Sequence, residues 1–414
     1  MNNNLIKTIN LRQSIKSNYI IEYIFSFLIE KKKLALIIYN KSFQKQFGFD
    51  IEYYKNISGK YIIGERNGIG KEFKTNTNKL IFEGQFLNGK KNGKGKEFDF
   101  FGRKIFEGIY LNGIKMKGIG YDKDGNVILK IEKNGYGEEY FDGGKIKFKG
   151  EYLNGKRWNG KGYNKEGKEI YEIKYGKGNV KDYNYFTGKL EFEGEYLNGE
   201  RNGKGKEYYG ENGKLEFEGE YLNGERNGKG KGYYRENGKL EFECEYLNGL
   251  RNGKGKGYYQ YSGNIYFEGE YLNGKRNGYI KYYYHNGQLE SEGEYINGKQ
   301  NGKGKEYDYD GRLEFDGEYL EGKRWKGKVK KYFDGDLDFE GEYLNGEITG
   351  KAKEYYGDNK IQFEGEYLNG KRNGKGKEYD FNGNLIFDGE YLDGKRLTNK
   401  EKKKILGKKN SKKK

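Results

Sequence analysis

The sequence predicts an all-β fold, an elongated antiparallel solenoid or meander of β-hairpin repeats with a small α-helical N-terminal cap. Three observations carry this. The phrase Phe-Glu-Gly-Glu-Tyr-Leu-Asn-Gly-x-Arg-Asn-Gly-Lys-Gly-Lys recurs down the chain, its aromatic and glycine residues alternate with charged ones, and Asn-Gly pairs punctuate it at fixed places. A fixed period of this length marks a repeat architecture. Alternation with a period of two reads as strand, and Asn-Gly supplies the positive φ that tight hairpin turns require.

Residues 1–56 precede the repeats. Ile20, Ile21, Ile24, Phe25, Leu28 and Ile29 fall on one face of an amphipathic helix, and a second helix begins near Leu34 and runs through Leu36, Ile37, Ile38 and Phe43. Two such helices are expected to cover the first open edge of the sheet. The segment also bears a faint similarity to an F-box, without its Leu-Pro opening, since the chain has no proline.

The opening aromatic stands at Phe82, Phe106, Phe148, Phe192, Phe217, Phe242 and Phe267, then at Phe315, Phe339, Phe363 and Phe387, with Ser291 in the one intervening place and Ile57 upstream. Two wider gaps each fit one shortened copy, near Leu129 and Tyr171, so about fifteen copies of 24–25 residues fill positions 57–394. In the copy at Phe192, Phe192, Gly194 and Tyr196 share one face of a strand while Glu193 and Glu195 share the other. Phe217, Gly219 and Tyr221, and Phe363, Gly365 and Tyr367, repeat the arrangement. Asn198-Gly199 and Asn202-Gly203 are expected to bracket the connection, after which Gly205 and Glu207 alternate with Lys204 and Lys206 in a second strand.

A lone hairpin is marginal in water, so neighbours are expected to pair edge to edge with aromatics stacked over glycines. The opposite face then becomes a Glu–Lys ladder, each cross-strand pair contributing roughly 0.2–1 kcal/mol. At ~4.8 Å per strand, fifteen copies would extend on the order of 140 Å.

Phe192, Gly194, Tyr196, Gly199, Gly203 and Gly205 resemble the MORN (membrane occupation and recognition nexus) repeat, Tyr-x-Gly-x-Trp-x-x-Gly followed by Gly-x-Gly, with Tyr in place of the usual Trp. The stretch Asn212-Gly213-Lys214-Leu215 between copies is similar to a divergent variant of that repeat. The resemblance implies a scaffold, often near membranes or cytoskeleton and sometimes beside a catalytic domain; residues 1–56 are too few for such a domain.

Composition agrees with this reading. A chain of 414 residues with 33% hydrophobic residues, 69 glycines and a mean hydropathy of -1.15 cannot fill several ordinary cores. Its 43 Tyr and 25 Phe lift it out of the disorder class. The net charge of +17 sits mostly at the two ends, leaving the repeats nearly neutral, which speaks against a nucleic-acid groove. One cysteine, Cys244, excludes an internal disulfide and fits a reducing, cytoplasmic location. The most apolar run, Tyr19 to Ile29, is too short to span a bilayer.

No catalytic residue, metal site or cofactor is expected. His285 and Cys244 have no partners in sequence for a triad or zinc site. Gly228-Lys229-Gly230-Lys231-Gly232 lacks the Lys-Ser/Thr ending of a phosphate loop. Cys244 stands where other copies have Gly194 or Gly219 and reads as a tolerated small residue.

The functional expectation is a non-enzymatic scaffold that displays a repeated β-surface to protein partners, at membranes or cytoskeleton. Two alternatives stand beside it. One is peripheral binding to an anionic membrane surface through the lysine-rich ends and the two tryptophans, Trp158 and Trp325, which occupy the place of Asn202 and Asn227. The other is an F-box-type ubiquitin-ligase adaptor. The basic tail, residues 395–414, is expected to be disordered; Lys402, Lys403, Lys404, Lys408, Lys409, Lys412, Lys413 and Lys414 read in turn as a solvated tail, an anionic-membrane contact, or a nuclear signal. The last copy lacks the Gly-Lys-Gly of its second strand, which points to an open edge and self-association.

Overall fold

The computed structural model describes residue 55 and residues 58–401. The expected helical cap and the lysines from Lys402 onward lie outside the described residues. These residues form antiparallel strands, each paired with its sequence neighbour, and divide into two units, one ending at Arg251 and one beginning at Asn252.

In the first unit, eleven strands from Lys60–Gly64 to Glu169–Ile173 make one sheet. A second sheet starts at Gly178–Tyr183 and continues through Leu190–Leu197, Glu200–Tyr208, Leu215–Leu222, Glu225–Tyr233 and Leu240–Leu247. In the second unit the meander runs from the strand Leu250–Tyr258 to Lys395–Arg396. The last copy therefore reaches past residue 394, with Arg396 paired to Tyr391 and Lys395 to Leu392.

One hairpin explains the rest. The strand Leu190–Leu197 turns through Asn198 and Gly199, both at positive φ (54° and 74°), into Glu200–Tyr208. Asn198-Gly199 is thus the whole connection. Asn202-Gly203, expected to bracket it, lies inside the second strand: Gly194 pairs with Gly205 and Tyr196 with Arg201, so Asn202, Gly203 and Lys204 together oppose Glu195 as a bulge. The hairpin tips are tied to the preceding copy, since Gly249 N–H donates to Arg226 O at 2.9 Å and Asn248 N–H to Asn227 Oδ1 at 3.3 Å.

The core is built on one face of a single sheet. Phe192 is fully buried there, lying over Gly194 and Gly205. A Cβ on Gly205 would come within 2.8 Å of the Phe192 ring and 3.0 Å of Tyr221, and one on Gly194 within 2.6 Å of the Gly205 Cα. Glycine is needed here for close approach of ring and backbone. Edge-on tyrosines flank each ring, Phe192 to Tyr221 at 5.5 Å and Phe217 to Tyr246 at 5.5 Å. An arginine closes the top: Arg201 over Phe192 at 4.0 Å, Arg226 over Phe217 at 3.8 Å, Arg372 over Phe363 at 4.1 Å. Such a contact contributes ~0.5–2 kcal/mol depending on desolvation. Glu207 joins Arg201 to Arg226, and Arg372 reaches both Glu354 and Glu378, so the caps of successive copies are linked.

Departures from the phrase are accommodated locally. Where Ser291 replaces the aromatic, Gln300 replaces the arginine, and its side-chain amide lies over Gly293 and Gly304 in place of a ring, with Nε2 buried and unpaired. Cys244 pairs with Gly230 and is buried; the Phe242 ring lies instead over Gly232, which stands where other copies have Glu207. The copy opening at Ile57 shifts register. Gly64 pairs with Gly70, and the turn moves to Glu65–Gly68 because β-branched Ile63 replaces the Asn that must take positive φ.

The expected continuous ladder is interrupted once in the first unit. The strands Glu169–Ile173 and Gly178–Tyr183 meet only through the Lys174–Lys177 bridge. Ile173 and Val180 are both fully buried on either side of this bridge, with Ile173 opposite Gly160 and Val180 opposite Gly194. Arg157 fastens the two sheets across this gap, its Nη1 donating to Tyr171 at 2.7 Å and to Asp182 at 2.8 Å and its Nε to Glu139 at 2.7 Å.

Gly205→Val is expected to cost about 1–3 kcal/mol in urea unfolding through overpacking. Gly357→Ala, at an ordinary φ with no atom near its new Cβ, is expected to change stability by less than about 0.5 kcal/mol. The paired change Ser291→Phe with Gln300→Arg is expected to stabilise by about 1–3 kcal/mol, because it buries a ring and removes the unpaired amide; either single change should gain less.

Candidate interaction surface

The glycines turn toward the rings, so the charged residues on either side of them project from the opposite face. Glu193, Lys206, Glu218, Lys231 and Glu243 stand directly across from one another on successive strands, alternating in sign. Contacts along this row include Lys149–Glu138 at 3.0 Å and Lys181–Glu193 at 3.6 Å in the first unit, and Lys256–Glu268 at 3.2 Å and Lys353–Glu340 at 3.6 Å in the second. Tyrosine hydroxyls close its outer side, Tyr208 donating to Glu193 at 2.7 Å and Tyr355 to Glu340 at 2.6 Å.

The second row is set by the bulges. The carboxylates of Glu294 and Glu366 accept from the backbone N–H of Lys303 and Lys375, at 3.2 and 3.3 Å. The glutamate after the repeat glycine thus caps the bulge, and the lysines beside it remain in solvent.

Between the two rows the glycine backbone forms the floor of an open trough. In the second unit a 540 Å³ stretch runs from Lys328 to Asp388, walled by six lysines and five carboxylates. In the first unit a 540 Å³ stretch runs from Ile69 to Ile109. There Ile69 and Ile109, 73% and 42% exposed, replace charged residues of the second row and give the trough an apolar wall. Exposed ion pairs contribute only about 0–1 kcal/mol each, so a partner with complementary charges can exchange for them at little cost.

Phe192, Gly194, Tyr196, Gly205, Phe217, Gly219, Tyr221, Phe363, Gly365 and Tyr367 belong to the aromatic face and build the sheet; Gly199 lies in the turn and Gly203 in the bulge. Trp158 and Trp325 are each the single extra residue of a shorter bulge, a form shared by Met116. Trp325 is 38% exposed, whereas Trp158 is half-buried against the turn at Gly176. Sequence reasoning missed the arginine caps, although Arg recurs at one fixed place in the phrase. It also missed the exposed rings of the loops between copies, whose signal was a constant 24-residue step.

The MORN repeat model matches residues 82–98, 192–214, 217–238, 243–260, 267–289, 292–311, 339–360 and 363–385. No curated protein sequence matches the chain. Among solved structures, the crystal structure of TcdB2-TccC3-TEV is similar at 10% identity and a TM-score of 0.16, over 76% of this chain and 21% of that one. The chain thus spans about a fifth of that structure's length.

Tyrosines packed beside carboxylates tie stability to pH. Burial and the hydrogen bond to Glu138 push the Tyr140 hydroxyl up to about 12, and burial with the Asp182 charge does the same for Tyr196. Both folded values exceed the ordinary 10.0, so this stabilisation is complete below pH 10 and is lost as pH rises toward 12. Alkaline unfolding followed by tyrosinate absorbance should therefore begin above pH 10, and Tyr140→Phe should make it shallower.

Proposed function

Because this chain belongs to the MORN-repeat family, with eight repeats matched between residues 82 and 385, we propose that it is a non-enzymatic scaffold that holds a protein partner along its charged trough. The repeat is in general a structural module. The observation that supports this reading most is the recurrence of one trough, with the same alternating Glu–Lys register, in both units. A partner that fits one copy fits the next, so weak contacts add through proximity. The apolar wall at Ile69 and Ile109 supplies desolvated contact that charged copies lack. The lone cysteine fits this role in the reducing cytoplasm.

The test is a charge reversal in the trough of the full chain, Lys328→Glu with Lys351→Glu and Lys375→Glu, compared with the parent for proteins retained from cell extract at moderate salt. The parent is expected to retain a discrete set that the variant loses at unchanged circular dichroism. Flotation of both chains with phosphatidylserine vesicles runs in parallel. Equal retention by the two proteins, together with flotation of the parent, would replace the scaffold by a lipid-binding reading.

A further inference from the structure

The loops joining one hairpin to the next form a second surface, independent of the trough. In the unit from Asn252 onward these connections carry rings at a constant step of 24 residues: Tyr261, His285, Tyr309 and Phe381 within the loops and Phe333 at the end of the strand Lys323–Phe333, where it pairs with Asp336, with Gly357 in the remaining place. Tyr261 is 78% exposed, Phe333 77%, and Tyr309 and Phe381 55% each. Scattered exposed aromatics are ordinary; a periodic row of them is not scatter.

This row is held rigid. Each loop is fastened to the next: Asn264 Nδ2 donates to His285 O at 2.8 Å, Asn286 Nδ2 to Tyr309 O at 3.1 Å, and Arg312 Nη1 to Gly335 O at 2.8 Å. An inner row of tyrosines does the same, Tyr259 hydroxyl to Tyr283 O at 2.8 Å and Tyr284 to Tyr307 O at 2.9 Å. The outer rings lean on this inner row, His285 stacked on Tyr259 at 3.7 Å, Tyr309 edge-on to Tyr284 at 5.3 Å, and Phe381 edge-on to Tyr356 at 5.6 Å. The edge is thus a comb of preset rings, one rung per two strands, or ~9–10 Å.

A polyproline II helix has three residues per turn at about 3.1 Å each, so the same side returns every ~9.3 Å. Its period matches the comb. Its backbone is already ordered, and stacked aromatics are the surface that such segments favour. Charge selects further. The six loops carry Asp308, Asp310, Asp334, Asp336, Asp358 and Asp380 against Arg312 and Lys360. Both cations are engaged within the loops, Arg312 with Asp308 and Asp310 and Lys360 with Asp358. The edge is acidic, which disfavours phosphate backbones and anionic headgroups and favours basic flanks.

We propose that this loop edge binds a proline-rich segment in the polyproline II conformation, flanked by Lys or Arg, with one turn seated between each pair of neighbouring rings. The uninterrupted rungs from Tyr261 to Phe333 take up about nine residues of it.

The test is fluorescence anisotropy of the full chain with a labelled nonaproline peptide bearing arginines at both ends. A Gly-Ser peptide of equal length and charge, and an oligothymidine strand, are the comparisons. The proline peptide is expected to bind at least roughly tenfold more tightly than either, and Tyr309→Ala with Phe333→Ala to lose roughly tenfold. Gly357→Tyr, filling the empty place on the comb, is expected to tighten binding. The trough variant with Lys328→Glu, Lys351→Glu and Lys375→Glu should bind the peptide unchanged, which separates this surface from the scaffold reading. Equal affinity for the proline and Gly-Ser peptides, preference for the oligonucleotide, or indifference to both the ring deletion and the ring addition would overturn the proposal.

Discussion

A phenylalanine can stay dry on the surface of a single sheet only where the residues beneath it have no side chains. That constraint governs this protein. Phe192 lies flat over Gly194 and Gly205, walled by tyrosines and capped by Arg201, and the same assembly recurs from copy to copy. It needs no second layer of helix or sheet, the usual partner of an apolar face. It also explains how a chain only one-third hydrophobic folds: aromatics bury large areas per residue, and glycine lets them approach the backbone. The same glycines leave the opposite face bare between its charged rows, so core and trough are two consequences of one column.

The copies that break the phrase test this account within the molecule. Ser291 and Gln300 depart together, as expected if ring and arginine act as a unit, and the Gln300 amide takes the ring's place. Cys244 fills the glycine column, and the Phe242 ring lies over Gly232 in compensation. Val329 and Ala352 occupy the column too, both buried in one cluster with Phe315, Tyr319 and Phe339. A side chain is tolerated in the column, with the ring displaced beside Cys244 but kept over Gly317 and Gly341 near Val329 and Ala352.

The hairpins were legible in sequence because alternation and Asn-Gly are local signals. The position of the bulge was not, since a hairpin such as the one at Phe192 contains two Asn-Gly pairs and only the pairing of Gly194 with Gly205 decides which one turns the chain. The register shift in the first copy hung on Ile63, a single residue unable to take a turn conformation cheaply. The sheet break at Lys174–Lys177 read as an eroded copy, because nothing in the sequences of Glu169–Ile173 and Gly178–Tyr183 sets them apart from ordinary paired strands. At the candidate surface the alternating Glu–Lys pairs were readable residue by residue. The trough was not, because it is a space assembled from small residues on several successive strands, such as Gly70, Gly84, Gly95 and Gly108. Arg201 and its equivalents were visible but mute, for nothing in a linear phrase says that a cation nine residues downstream folds back over a ring.

The interruption at Lys174–Lys177 has a bearing on how the first unit comes apart. A stack of hairpins bound only to their neighbours loses order like a zipper, each opened rung exposing the edge of the next. Where the hydrogen-bonded ladder stops, so does that propagation, unless the Arg157 clasp to Glu139 and Asp182 is opened as well. The gap acts as a firebreak. Fraying or proteolytic nicking on one side spends itself there and leaves the copies beyond it intact.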